Sequence, residues 1–581
     1  MRARKTISRR SNNHEVIGAE GLAPVIRRVL ANRDIRSIDD LSFSNKDLLP
    51  PTGILNLDLA AEVICKHIVS ESRIVLVGDY DADGATSCAL GVLVLREMGA
   101  ISVDYLVPDR FKLGYGLSAA LVDIASDSEP SLLITVDNGI ASLEGARKAR
   151  EKGIDLVITD HHLPGDVLPD ATVIVNPNLP GDSFQSKNLA GVGVIFYVLS
   201  AVRQHLKQVG WFKKRGIREP ALATYLDLVA LGTYADLVRL DHNNRILVAQ
   251  GLRRINAGKC RPGIRALIDV SGRRAGRLVA SDLGFQIAPR LNAAGRLEDM
   301  SIGIECLIEN DPVRARQLAD QLDAINRDRK SIEITMQQQA LAAIAHEASL
   351  QPDSPVQGLC IYHKDWHEGI VGLVASRLKE RRSVPAIAFA PSENGELKGS
   401  ARSVPGVHIR DILCEIDALA PGLLLRFGGH AMAAGMTILE IDFDRFRESF
   451  LLALQHHDDS IRAASELLTD GPLQGEFDDL GFIHTLRTLA PWGQGFTEPL
   501  FDNTFRVIEQ KLVGDIHLKM VLAPEGGSQR IEGIQFRFLE AAGAPCPEFS
   551  TIHAAYRVDL NEFAGRVRPQ LIIEHFNPVA N

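Results

Sequence analysis

Five short apolar runs between residues 70 and 180, RIVLVGD, ISVDYLVP, SLLITVD, DLVITDHH and ATVIVNP, alternate with helical stretches, and this alternation leaves few folds open to the chain. Strand-length runs separated by helix-length connections predict a parallel, doubly wound α/β sheet. Three of the runs end on an acid: Asp79, Asp137 and Asp160. Ligand sites in such sheets gather beyond the carboxyl ends of the strands, so three strands deliver carboxylates to one edge.

Asp79, Asp81 and Asp83 alternate. In an extended chain they project to one side, about 7 Å between successive same-face positions. Like charges at that spacing call for a counter-ion, and a divalent cation is the usual solution for an oxygen-rich cluster. A lone D-x-D-G is more often a calcium loop or a turn, and an isolated His pair more often a capping or packing feature. Here Asp160-His161-His162 follows a strand and places two imidazoles beside the acids. Imidazole moves the metal preference from calcium toward manganese, zinc or iron.

At 581 residues the chain exceeds one hydrophobic core, and about 100–200 residues per domain implies three or four domains. With 45% apolar and 24% charged residues it is globular in composition. We find no uncharged apolar run near the roughly 20 residues of a membrane span. The start, MRARKTISRRSNNHE, has no signal-peptide stretch and reads as a tail. The seven cysteines are widely spaced and form no CxxC, which argues against a disulfide framework or structural zinc and fits a reducing compartment, the cytoplasm. The net charge of −9 weighs against a nucleic-acid partner, although Arg245 to Arg277 holds nine basic residues against one acid, Asp269.

Residues 184–300 read as mostly helical. Val313 to Ser349 has no Gly or Pro, and Leu318, Leu322, Ile325, Ile332 and Met336 recur at helical steps, predicting one long connecting helix. A mixed α/β unit follows, with GLCIYH and PAIAFAP as strands and a Gly-rich FGGHAMAAG at 427–435. Beyond about 470, short alternating segments predict a small β-barrel of the OB type. The expected division is a tail and the start of the first domain over 1–40, an acid-bearing domain over 41–300, the connecting helix over 301–350, a second domain over 351–465 and the barrel over 466–581.

GDYDADG (78–84), VDNG (136–139), TDHH (159–162) and ALGTYADLV (230–238) resemble the four motifs of the DHH phosphoesterase superfamily, and more narrowly its single-strand-specific exonuclease branch. VPDRFKLGYGLS, LAGVGVIFY, APRLNAAGRLEDMS, LKGSARS, FGGHAMAAG and PWGQGFTEPLFD extend the resemblance over nearly the whole chain after about residue 20. The resemblance implies two divalent ions, manganese or magnesium, held by Asp81, Asp83, Asp137, His161 and Asp236. Four carboxylates against four positive charges leave a near-neutral site before phosphate arrives. Asp79 becomes a close neighbour, Asp160 an orienter or ligand, and His162 a contact to the scissile phosphate or leaving oxygen. The reaction implied is phosphodiester hydrolysis, 5′ to 3′, releasing mononucleotides.

By the same resemblance the second domain, a DHH-associated domain, grips substrate phosphate through Ser400, Arg402, Ser403, Gly428, Gly429 and His430, with Arg110, Arg290, Asn292 and Arg296 as further substrate contacts. Arg offers a fork of donors and Gly lets backbone amides approach. Trp492, Phe496 and Lys519, with Phe505, Phe536 and Phe563, are the barrel's candidates for stacking on and pairing with a single strand. The implied partners are single-stranded DNA, a helicase and a single-strand-binding protein, with a monomer as the default. A phosphodiesterase for short oligoribonucleotides or cyclic dinucleotides would lack the barrel, a decayed scaffold would lack the acids, and a pyrophosphatase leaves the long helix and barrel without a role.

Overall fold

In the computed structural model, part of the basic N-terminus is folded: Thr6–Arg9 is a strand, β1, paired in parallel with Glu466–Thr469. The structure describes residues 5–12, 14–109, 114–350, 357–457, 461, 466–539, 543, 545–563 and 566–579. Just past the helix Pro24–Ala31, Asn32 and Arg33 donate to Asp470, each at 2.9 Å. These ties group Met1–Arg36 with Asp328–Arg487 and Pro499–Asn581 as one unit, whereas Ser37–Arg327 and Thr488–Glu498 form the other. The N-terminus therefore does not begin the acid-bearing domain, because its hydrogen-bonding partners lie late in the chain.

The acid-bearing unit holds the expected sheet. β2 (Arg73–Gly78), β3 (Ser102–Leu106), β4 (Leu132–Val136), β5 (Asp155–Thr159) and β6 (Val173–Val175) are all parallel, in the order β3-β2-β4-β5-β6. β2 and β4 are buried along nearly their whole length, the continuous apolar pattern of a strand covered on both faces. Val75 and Val77 pack with Leu121, Val122, Ala146 and Ala149 of the helices Ala119–Ser126 and Leu143–Glu151. Leu76 points the other way, onto Gly91 of the helix Ala82–Glu97, where a Cβ would lie 2.1 Å from its Cδ2. The chain passes from β2 to β3 on one side of it and then crosses back to β4 on the other, so the crevice of such a sheet opens between β2 and β4.

Residues 184–300 are helical as expected, including Gly191–Gln208, Leu226–Ala235, His242–Asn256 and Ala288–Leu297. The long helix runs from Pro312 to Leu350, 39 residues. In the other unit, β7 (Leu359–Tyr362), β8 (Ala386–Pro391), β9 (Glu396–Arg402), β10 (Arg426–Gly429) and β11 (Ala433–Leu439) form a mixed sheet ordered β10-β11-β9-β8-β7. After β12 (Glu466–Thr469) comes the closed barrel of β13 (Phe501–Val513), β14 (His517–Pro524), β15 (Ile531–Gln535), β16 (Thr551–Phe563) and β17 (Arg566–Pro578). Among the described residues all seven cysteines are free, and no helix is long and apolar enough to cross a membrane.

The expected barrel boundary includes one misplaced segment. Thr488–Glu498 packs in the acid-bearing unit: Tyr234 donates its hydroxyl to the Trp492 carbonyl at 2.8 Å, Leu240 N–H donates to the Gln494 carbonyl, and the Arg245 guanidinium stacks 4.3 Å from the Phe496 ring centre.

Candidate metal centre

Asp79 and Asp137 emerge from the paired ends of β2 and β4, at the crevice between them. Asp79 Oδ1 accepts the Tyr80 N–H at 2.7 Å, curling the chain so that Asp81 caps the helix Ala82–Glu97. One Asp81 oxygen accepts the N–H groups of Asp83 and Gly84 at 2.9 and 3.0 Å, an N-cap that also places negative charge at the positive end of a helix. The turn tolerates no side chain at Gly84, where a Cβ would lie 2.4 Å from the Asp79 carbonyl oxygen.

Asp83 is fully buried and accepts the Gly191 and Val192 N–H groups at 2.6 and 3.0 Å, from the first turn of the helix Gly191–Gln208. Asp137 occupies the left-handed region, φ 63°. Asn138 steadies it by donating to the carbonyls of Val77 and Val136, at 3.0 and 2.9 Å, across the two strand ends. Asp236 ends the helix Leu226–Ala235, which packs on the helix Ala82–Glu97 so closely that a Cβ at Gly232 would lie 2.2 Å from Thr86 Oγ1.

Asp160 is a hub of donors. Its carboxylate accepts the N–H groups of His161 (2.7 Å), His162 (3.1 Å) and Ile140 (2.9 Å), and His162 Nδ1 at 2.7 Å. Burial works to raise its pKa, but these bonds and the neighbouring imidazoles hold it below the usual carboxylate range. The Asp160 bond fixes the His162 ring. Asn178 and Asn176 hold the carbonyls of His161 and His162.

Three of the other acids are raised by burial and crowding. Burial, then the charges of neighbouring acids, raises Asp137 and Asp236 well above the usual range, and burial and Asp81 push Asp83 up to about 7. Such a cluster stays ionised only around positive charge. Asp137 Oδ1 is buried and, among the described residues, accepts no hydrogen bond, although His161 Nε2 lies 3.1 Å away. Two trios that share no residue, Asp79-Asp81-Asp137 and Asp83-His161-Asp236, each offer ligand atoms within 4.8 Å of one another, and Asp137, His161 and His162 form an overlapping third. The donor set fits two divalent ions of the manganese or magnesium kind. Asp79, Asp81, Asp83, Asp137, Asp160, His161, His162 and Asp236 are thus together, and Asp79 stands with Asp81 and Asp137 in one of the trios.

The other expected contacts divide. The Arg290 guanidinium is engaged internally, with Asp323 at 2.8 Å and with the carbonyls of Gln286 and Val270, pairing that ties this helix to the long helix. Asn292 accepts the Ala82 N–H at 2.7 Å, and Gly295 abuts the Tyr80 carbonyl, so this helix buttresses the acid-bearing turn. Arg296 is half-buried on the same helix. Arg110 lies outside the described residues.

In the other unit, Arg402 donates to Ser400 Oγ at 2.9 Å on β9, and Ser400 pairs in register with Gly435 of β11. A Cβ at Gly372, in the first turn of the helix Val371–Arg382, would lie 2.9 Å from Arg402 Nη2 and 3.1 Å from Ser400 Oγ. A guanidinium, a hydroxyl and a helix N-terminus thus converge, the makings of an anion cradle. Gly428 and Gly429 lie on β10, and His430 N–H donates to Ala433 at the turn into β11. Ser403 does not join them: its hydroxyl is buried and donates to the Val407 carbonyl at 2.7 Å.

The barrel contacts change most. Trp492 and Phe496 stack on each other at 5.1 Å, buried, outside the barrel strands, and so present no face to a strand of DNA. Phe505 is barrel core, and Lys519 pairs with Glu532 at 2.8 Å. Phe536, beside His517, is 50% exposed and keeps the stacking role open to it. The side chain of Phe563 lies outside the described residues. The basic stretch 245–277 is partly internal too, with Arg261 over the Tyr225 ring, and Arg265 and Arg273 paired with Asp269 and Asp282.

The chain matches the family models described as DHH family, N-terminal domain (residues 73–233), DHHA1 domain (354–455) and RecJ OB domain (469–575). It is 50% identical over 560 residues to the single-stranded-DNA-specific exonuclease RecJ of Dickeya dadantii, covering 96% of this chain and 97% of that one. Identity to the RecJ of Escherichia coli is 48%, covering 96% of each. Among solved structures, RecJ of Thermus thermophilus in complex with Mn2+ superposes with a TM-score of 0.78 at 28% identity, covering 98% of this chain and 78% of that one. The same protein in complex with Mg2+ gives 0.72 at 27% identity, covering 97% and 76%.

Proposed function

This chain belongs to the RecJ family of DHH phosphoesterases, and on that premise we propose that it is a two-cation exonuclease that degrades single-stranded DNA from the 5′ end to mononucleotides. The observation that carries the reading is the pair of separate ligand trios at the β2/β4 crevice, one of them including a buried Asp137 oxygen that accepts no hydrogen bond among the described residues.

Asp79, Asp81 and Asp137 would hold one ion and Asp83, His161 and Asp236 the other. Manganese or magnesium bound there would acidify the attacking water and stabilise charge on the phosphate and its leaving oxygen in an in-line displacement. Asp160, held by four donors, fixes the His162 ring, which contacts the scissile phosphate. Ser400, Arg402, Gly428, Gly429 and His430 form the pocket for the terminal 5′ phosphate, supported by the convergence of Arg402 and Ser400 on a helix N-terminus. The barrel holds the following nucleotides. The setting is DNA repair and recombination in the cytoplasm, beside a helicase and a single-strand-binding protein, with the chain acting as a monomer.

Manganese-dependent hydrolysis of single-stranded DNA, duplex DNA, short RNA and pyrophosphate, measured side by side, tests the substrate. Single-stranded DNA is expected to be cut fastest, and preference for any of the other three refutes the reading. For polarity, Arg402→Ala is expected to lower kcat/KM on 5′-phosphorylated strands about 10- to 150-fold, the loss of a charge-assisted contact, and to spare strands with a 5′ hydroxyl. An equal loss on both removes the pocket assignment.

A further inference from the structure

Tyr115 has no role in the reading above, yet it borders the metal centre. It sits between Gly114 and Gly116, both left-handed at φ 77° and 75°, a backbone that glycine adopts without strain. The far side of the turn is pinned: Leu117 is buried and its N–H donates to Ser142 Oγ at 3.0 Å. The two glycines thus turn the tyrosine out of the core and the anchor keeps it in place. Its ring stands edge-on to Tyr80 and to His162, 6.0 Å from each at 81° and 82°. Its hydroxyl reaches inward, 3.4 Å from the Asp137 carbonyl and 3.5 Å from the His162 ring nitrogens. Neither neighbouring ring lies parallel on it, and 48% of the residue is exposed.

We propose that Tyr115 is a substrate-contacting residue whose exposed ring stacks on the nucleobase of the nucleotide at the scissile bond. The inference rests on the exonuclease reading. A phosphate seated over Asp137 and beside His162 has its base one sugar away, within reach of a ring whose hydroxyl touches both residues. Stacking suits an enzyme that must remove every nucleotide in turn, because each base has a π face. It also favours an unpaired strand, since a paired base is already stacked and must be extracted at a cost. Tyr115 therefore contributes to single-strand preference at the point of cleavage itself.

The test compares strands carrying either a normal base or an abasic tetrahydrofuran at the nucleotide to be released. With the unaltered protein, loss of the base is expected to lower kcat/KM about 5- to 150-fold, the range that stacking one base on an aromatic ring provides. Tyr115→Phe keeps the ring and keeps the penalty. Tyr115→Leu removes it, so both strands are cut equally fast, whereas a residue that merely steadied His162 would slow both strands and leave their ratio unchanged. The proposal is overturned if the unaltered protein shows no penalty, if the Leu variant retains it, or if the Phe variant loses it. Should the Leu variant fail to fold, the other two arms still decide. Failure of the unaltered protein to cut single-stranded DNA at all refutes the exonuclease reading instead.

Discussion

Gly191→Ala tests how the metal centre is built without replacing any ligand. A Cβ at Gly191 would lie 2.4 Å from Asp137 Cβ and 2.6 Å from its Oδ1, whereas unstrained carbon contacts sit at about 3.5–4.0 Å. The required shift is therefore more than about 1 Å, and it falls either on Asp137 or on the helix that begins at Gly191. If the helix retreats, it stretches the 2.6 and 3.0 Å amide bonds to Asp83; if Asp137 retreats, a ligand atom leaves its place. A misplacement of about 1 Å in a catalytic constellation costs on the order of 100-fold in rate, and loss of groups that hold ligands weakens metal binding about 10- to 100-fold. The overpacking itself should cost about 1–3 kcal/mol of stability. The expected result is an exonuclease at least about 100-fold slower at limiting manganese, with a manganese titration midpoint displaced upward and a Tm only a few degrees lower. Unchanged activity with an unchanged manganese midpoint would refute the claim that the N-terminus of this helix positions the acids.

Two further outcomes follow from packing outside the centre. Asp502, buried at the start of the barrel, accepts Arg9 at 2.8 Å, Thr469 and His553; burial works to raise its pKa, and these bonds more than offset it and hold it below the usual carboxylate range. A carboxyl lowered in the folded state stabilises above its unfolded pKa of about 3.9 and loses that contribution as pH falls through the folded value. Asp502→Ala should thus cost about 1–3 kcal/mol near pH 7, and the gap in Tm should narrow below about pH 4; a gap independent of pH would count against this account. Trp492→Ala should destabilise by about 3–5 kcal/mol, as for a buried aromatic, while the folded fraction binds single-stranded DNA as tightly as before; weakened binding without loss of stability would restore Trp492 to the interface.

The metal centre was legible because its signal is local and doubled: Asp79, Asp137 and Asp160 each end an apolar run, and strand ends in a parallel sheet share one edge. Asp236 lies on a helix with no such pattern, and only the motif resemblance located it. Trp492 and Phe496 misled for a different reason. Nothing in a turn-rich segment says which body it packs against, and a buried aromatic is spelled like an exposed one. β1 escaped notice because a four-residue strand that pairs in parallel with a segment near residue 466 leaves no local trace. Arg290 and Ser403 were read by residue type, but their partners, Asp323 and the Val407 carbonyl, are visible only in three dimensions. Tyr115 between two glycines looks like an ordinary turn until its distance to His162 is known.

The clasp of the N-terminus onto the barrel also bears on how the protein is made. Arg9 leaves the ribosome early, and its partner Asp502 is 493 residues behind it. At about 5–20 residues per second this is a wait of roughly 25–100 s. Until Glu466–Thr469 is made, late in that interval, β1 is a strand without its neighbour, and its brevity and the charges of Arg9 and Arg10 are the features that discourage a nascent edge from pairing with another chain. The acid-bearing unit has nearly all of its residues by Arg327 and lacks only Thr488–Glu498, so its sheet can form while the first residues of the chain are still waiting for the last.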